Sequence, residues 1–263
     1  MRLGRALAGA IALAACATTP TERVERLASE HGFVREVVHG TRFDHVVYRN
    51  ARPAAGALHV YIEGDGSPYL DPDVVARDPT PRVPVMLELM ALDRAASIYV
   101  GRPCYFGLYA TAGCSLMFWT IGRFNLDVVE SMAAVVERAA AASGADGLVL
   151  IGHSGGGALA VLLAPRLHGV RAVVTVAGTL DTDAWTELHG YAPLALSLNP
   201  SAEPLVGVPL VLHLAGADDD VVPPSLVSAA ARKLGAGEVR VVPGTRHTCC
   251  WGAAWPSVLD GLP

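Results

Sequence analysis

Six short runs, apolar on both of their faces, alternate with stretches of helical periodicity, and this alternation constrains the fold of the chain more than any other property it has. The runs are 58–62, 97–101, 148–151, 172–176, 210–214 and 239–242, and the helical stretches are 85–94, 126–142, 158–167, 225–233 and 255–259. A strand with one face in water alternates apolar and polar residues, whereas one that is apolar throughout is covered on both sides. Intervening helices supply that cover and the crossovers that parallel pairing needs. The expected fold class is therefore α/β, with a mostly parallel central sheet and helices on both faces. In such sheets reactive groups gather at the carboxyl ends of the strands.

Upstream, 33–38 and 43–49 alternate apolar and polar residues across His39, Gly40, Thr41 and Arg42, which predicts a β-hairpin. A short helix is expected before it over 21–31, with a threonine N-cap and an acid in its first turn. Two connections are long. Residues 68–84 hold five prolines, and 179–208 show little periodicity, enough for a functional loop or small cap but too short for a large lid domain. A composition of 52% hydrophobic and 17% charged residues excludes a disordered chain, and a net charge of −5 without a basic cluster argues against a nucleic-acid partner. Nothing in the sequence specifies an oligomeric state.

The first fifteen residues carry Arg2 and Arg5, then an apolar run over 6–15 that is too short to span a bilayer, and end in Leu13-Ala14-Ala15-Cys16. Small residues ahead of a cysteine resemble the lipobox of bacterial lipoproteins. The resemblance implies a signal peptide over 1–15, a lipid on Cys16, and membrane attachment through that anchor. With Ala17 in place of an acidic retention signal, it further implies the outer membrane, facing the periplasm. Residues 16–56 are then a lipidated tether, short helix and hairpin, and 57–263 a catalytic domain. In an oxidising compartment the other four cysteines are disulfide candidates. Of the three connectivities, Cys104 with Cys114 is favoured, leaving Cys249 and Cys250 as a vicinal pair or two thiols. No histidine or cysteine cluster has metal-ligand spacing, so no metal or organic cofactor is implied.

Gly152-His153-Ser154-Gly155-Gly156 follows the run 148–151 and precedes a helical stretch. A serine at the tip of so tight a strand-to-helix bend exposes its hydroxyl, and flanking glycines avoid collisions across the bend. That hydroxyl needs a base, and the base an orienting carboxylate. Downstream, the run 210–214 leads into Asp218-Asp219-Asp220, and the run 239–242 leads to His247. The order of serine, acid and histidine resembles the α/β-hydrolase superfamily, in its esterase- and lipase-like members, over roughly 57–263.

The resemblance implies Ser154 as nucleophile and His247 as base. It selects Asp219 as the acid, three residues after Gly216 and four before Pro223, with Asp218 and Asp220 as one-residue alternatives and Asp181 and Asp183 as alternatives one strand earlier. The oxyanion hole would comprise the amide of Gly155 and that of Asp65, with Gly66 the runner-up, in Glu63-Gly64-Asp65-Gly66, where Glu63 replaces the usual histidine. His153 is expected to pack or position. Tyr105, Phe118 and Trp119, with Arg123, either wall the pocket or pack the core around a disulfide, the second being favoured. The implied activity is hydrolysis of a small-molecule carboxylic ester through an acyl-enzyme. The alternatives are an amidase, peptidase or thioesterase on the same triad, and a non-catalytic envelope binding protein.

Overall fold

The structure, a computed structural model, describes residues 18–263. The expected signal peptide over 1–15 and the lipidation site Cys16 lie outside the described residues. In chain order the elements are α1 (Pro20–Glu30), β1 (Val34–His39), β2 (Asp44–Arg49), β3 (Leu58–Ile62), β4 (Tyr69–Asp71), β5 (Val74–Val75), α2 (Val85–Ala91) and β6 (Ser97–Val100). They continue with α3 (Leu126–Ser143), β7 (Leu148–His153), α4 (Gly155–Leu163), β8 (Val170–Val176), α5 (Thr182–His189), β9 (Leu210–Gly216), α6 (Pro224–Leu234), β10 (Glu238–Val242) and α7 (Trp255–Leu259).

Eight strands form one sheet in the order β1-β2-β6-β3-β7-β8-β9-β10. The hairpin β1–β2 is antiparallel and joins β6 antiparallel, and every pairing from β6 onward is parallel. All residues of β3, β6 and β7 are buried. Both faces of the central sheet are therefore covered, as the unbroken apolar runs require. The topology also locates the site. From β3 the chain leaves for β6 on one side, whereas from β7, paired directly with β3, it leaves for β8 on the other. Connections that depart in opposite directions open a crevice at the carboxyl ends of β3 and β7.

Several boundaries differ from expectation for local reasons. The N-cap of α1 is Thr19, earlier than the sequence suggested: its hydroxyl accepts from the Glu22 amide, the Glu22 carboxylate accepts from the Thr19 amide, and Pro20 occupies the first turn. In the same way α4 begins directly after Ser154. The two long connections contain structure without a marked apolar stripe: the β4–β5 hairpin in one, and in the other α5, capped by Asp181 and ended by Gly190. The disulfides join Cys104 to Cys114, with Cα atoms 5.6 Å apart, and Cys249 to its neighbour Cys250. Among the described residues no helix is long and apolar enough to cross a membrane.

Candidate active site

The bend after β7 is forced by its glycines. A Cβ on Gly152 would lie 2.0 Å from the Gly156 carbonyl oxygen, and one on Gly156 would lie 2.1 Å from that of Ile62 in β3. Ser154 takes φ 52° and ψ −122°, a conformation that an L-residue holds only when its surroundings impose it. Here its amide donates to the Val176 carbonyl at 2.9 Å, while its carbonyl accepts from the amides of Gly157 at 2.9 Å and Thr179 at 3.0 Å. The bend is thereby tied to β8 and to α4 together, and the serine side chain opens on the crevice between β3 and β7.

Two further strands bring the remaining groups to the same end of the sheet. Ser154 Oγ lies 3.0 Å from His247 Nε2, and His247 Nδ1 lies 2.9 Å from Asp219 Oδ2. The second Asp219 oxygen accepts from the amides of Val221 and Val222, both at 2.9 Å, so the carboxylate cannot swing away. Burial works to raise the Asp219 pKa, but the hydrogen bond and charge of His247, with these two amides, bring it below the usual carboxylate value. Burial lowers that of His247, against the raising effect of Asp219. The imidazole is therefore neutral at pH 7, with its proton on Nδ1 facing the carboxylate and its Nε2 lone pair facing the serine. Asp218 and Asp220 point into solvent. Asp181 caps α5, accepting from the Ala184 amide at 3.2 Å and pairing with Lys233, and Asp183 binds Asn199 at 3.0 Å; neither meets the histidine.

His153, inside the bend, braces the loop that carries His247. Its Nε2 donates to the His247 carbonyl at 2.8 Å, a carbonyl that also accepts from the Trp251 indole at 3.1 Å. Glu63, which stands where the resemblance led to an expected histidine, is buried and accepts from the Gly64 amide at 3.2 Å and the Met86 amide at 3.0 Å. It thus ties the end of β3 to the first turn of α2. Gly64 is in this way committed, whereas among the described residues the amides of Gly155, Asp65 and Gly66 have no acceptor.

The loop after β3 is held by a buried charge cluster that sequence reasoning did not anticipate. The Asp65 carboxylate pairs with Arg102 and, at 2.6 Å, with Arg123. Arg102 also donates to the Arg123 carbonyl at 2.6 Å, and the Asp65 carbonyl accepts from the Tyr105 hydroxyl at 2.9 Å. Burial alone would raise the Asp65 pKa; the two guanidiniums hold it at about 2. The same carboxylate rests on the start of α4, where a Cβ on Gly155 would come within 2.0 Å of it. Tyr105, Phe118 and Trp119 are core residues, as favoured, but Arg123 lines the cavity. A signal for the cluster was present: Arg102 is the second residue past the β6 strand, at the reactive end of the sheet.

The cavity above Ser154 and His247 has a volume of about 640 Å³ and is walled largely by apolar groups, among them Val83, Ile121, Trp185, Tyr191 and Leu194. Trp185 and Tyr191 come from the long connection after β8, which is strapped to the Asp219 loop: the Trp185 indole and the His189 ring both bond the Val221 carbonyl, at 3.0 and 2.8 Å. Among the described residues no three His, Cys, Asp or Glu side chains converge to hold a metal ion.

No protein-family model and no curated protein matches the sequence. Solved structures do. A membrane phospholipase A described as a bacterial virulence factor superposes with a TM-score of 0.59 at 15% identity, covering 92% of this chain and 90% of its own. E-2-(acetamidomethylene)succinate hydrolase gives 0.58 at 15% identity, over 87% and 98%. An α/β serine hydrolase homologue from Coxiella burnetii gives 0.54 at 14% identity, over 86% and 94%.

Proposed function

We propose that this chain, which has the α/β-hydrolase fold, is a serine hydrolase that cleaves carboxylic esters through an acyl-enzyme. The observation that carries the reading is the hydrogen-bonded line from Ser154 through His247 to Asp219, at 3.0 and 2.9 Å, on the floor of an apolar cavity. In the forward step Ser154 Oγ bonds to the substrate carbonyl carbon while its proton passes to His247 Nε2, and Asp219 stabilises the imidazolium. The carbonyl oxygen becomes an oxyanion facing the amides of Gly155 and Asp65, which have no acceptor within the described protein, the Asp65 carboxylate lying against Gly155 at the start of α4. Collapse breaks the bond to the leaving alkoxide, which takes the proton from His247. Water then repeats the sequence and releases the acid.

An apolar cavity favours an acyl group over a charged one, which supports an ester or lipid-like substrate. The amide, peptide and thioester readings share every step, and a non-catalytic binding protein would have no need of a serine held in a strained conformation. Initial rates for matched ester, thioester and amide substrates of rising acyl length decide among them, with Ser154→Ala as reference. Ester turnover abolished in the variant is the expected result; equal rates for wild type and Ser154→Ala, or turnover of the amide alone, overturn the assignment. We also place the enzyme in the bacterial envelope, held by a lipid on Cys16. Equal incorporation of labelled fatty acid into wild type and Cys16→Ala would remove that part.

A further inference from the structure

We propose that the apolar mouth of the cavity is a membrane-docking face, laid against the bilayer by the lipid anchor at Cys16; the inference deepens, and rests on, the envelope reading given above. Four large apolar side chains that line the cavity also stand at its rim in solvent: Tyr69, Val83, Ile121 and Tyr191 are 41%, 47%, 39% and 57% exposed. Leu70, next to the first of them, is 63% exposed. Apolar side chains gathered around one opening mark an interaction surface rather than ordinary surface scatter.

The start of the chain says what that surface meets. The helix α1 begins at Pro20, four residues after Cys16, and an extended backbone of four residues spans only about 14 Å. Its first turn is fastened to the segment that builds one wall of the mouth: Thr21 Oγ1 donates to Asp78 Oδ2 at 3.0 Å and lies 3.4 Å from Thr80 Oγ1. Tyr69 and Val83 belong to that same connection, between β3 and α2. A lipid on Cys16 therefore holds this rim within a short reach of the membrane surface, with little room for a folded partner between the two. Lipid, not protein, is the occupant the geometry selects. A membrane amphiphile would then enter the cavity through the rim, its acyl portion passing from bilayer to apolar wall without crossing water.

Tryptophan fluorescence reads this orientation, because Trp119, Trp251 and Trp255 are buried in the core while Trp185, partly exposed, lines the cavity. Full-length lipidated protein is reconstituted into phosphatidylcholine vesicles containing lipids brominated high on the acyl chain. The expected result is flotation with the vesicles and quenching of part of the emission, with the quenched part absent in Trp185→Phe. The double variant Leu70→Asp, Leu188→Asp should float but lose half or more of the quenching: Leu70 is next to Tyr69, Leu188 is 55% exposed on α5 three residues after Trp185, and neither lines the cavity. Fluorophosphonate labelling of Ser154 in detergent checks that it is folded. Failure to float overturns the proposal at the anchor. Flotation without Trp185 quenching, or quenching unchanged in the double variant, overturns it at the rim. Neither outcome touches the serine-hydrolase reading, which the labelling of Ser154 tests separately.

Discussion

Replacing Asp65 by asparagine isolates the contribution of its carboxylate, because the side chain keeps its shape and loses its charge. Arg102 and Arg123 are 1% and 5% exposed, and among the described residues Asp65 is the carboxylate that both of them pair with. A carboxamide can accept one of these N–H groups through its oxygen but turns its own NH₂ toward the other guanidinium. Two buried positive charges are then left facing each other, and breaking a buried pair in this manner costs about 3–5 kcal/mol. At about 2–4 °C per kcal/mol for a chain of this size, the melting midpoint should fall by roughly 6–20 °C. Adding Arg123→Met to the variant removes the surplus charge and should recover part of the loss.

The same carboxylate fixes the loop whose amide we propose faces the oxyanion. Asp65→Asn should therefore lower kcat, by up to the ~10²–10³-fold typical of a lost oxyanion donor, and leave KM nearly unchanged. Thermal unfolding by circular dichroism and steady-state kinetics on one ester measure both effects. A midpoint within about 2 °C of wild type, or an effect confined to KM, refutes the reasoning.

Three other outcomes follow from named contacts. Because burial lowers the pKa of His247, kcat/KM should rise with pH through an inflection below the ordinary 6.5 of histidine and level off at neutrality; an inflection above 7 would contradict the neutral base. Gly156→Ala places a Cβ 2.1 Å from the Ile62 carbonyl and should abolish both soluble expression and Ser154 labelling, whereas Gly56→Ala, with nothing within 4 Å, should change stability by no more than about 0.5 kcal/mol. His45 and His213 are buried, which lowers the pKa of each from 6.5 to about 4. The unfolded chain therefore takes up protons first. Stability should fall as pH drops through 6.5 and level off below about 4, with each histidine costing about 2 kcal/mol at pH 5. Urea midpoints that do not change between pH 7 and pH 5 would remove this account.

What the sequence made legible was whatever depends on local sterics or on periodicity. The bend at Ser154 could be read because Gly152 and Gly156 have no substitute at their contact distances, and β3 and β7 because a strand covered on both faces cannot alternate. Asp219 was implied by the resemblance to the α/β-hydrolases, whose acid stands three residues after a glycine and four before a proline, and residue spacing alone did not separate it from Asp218 and Asp220. Of the charge cluster only the place of Arg102, two residues past β6, was legible: Asp65 lies in the connection after β3, Arg102 and Arg123 at opposite ends of the one between β6 and α3, and the three meet only once the sheet order is set. For α5 the signals were caps, Asp181 and Gly190, without an apolar stripe. The Thr19 cap was missed for a neighbouring threonine, although Glu22, three residues on, pointed to it.

The central claim is that Ser154 is an activated nucleophile. Treating the folded protein with a fluorophosphonate and mapping the adduct by mass spectrometry tests it most directly. The account predicts one adduct per chain, on the peptide that contains Ser154. It further predicts no adduct in Ser154→Ala and strongly slowed labelling in His247→Ala. Folded wild type that remains unlabelled, or that carries the adduct on any other residue, would contradict it.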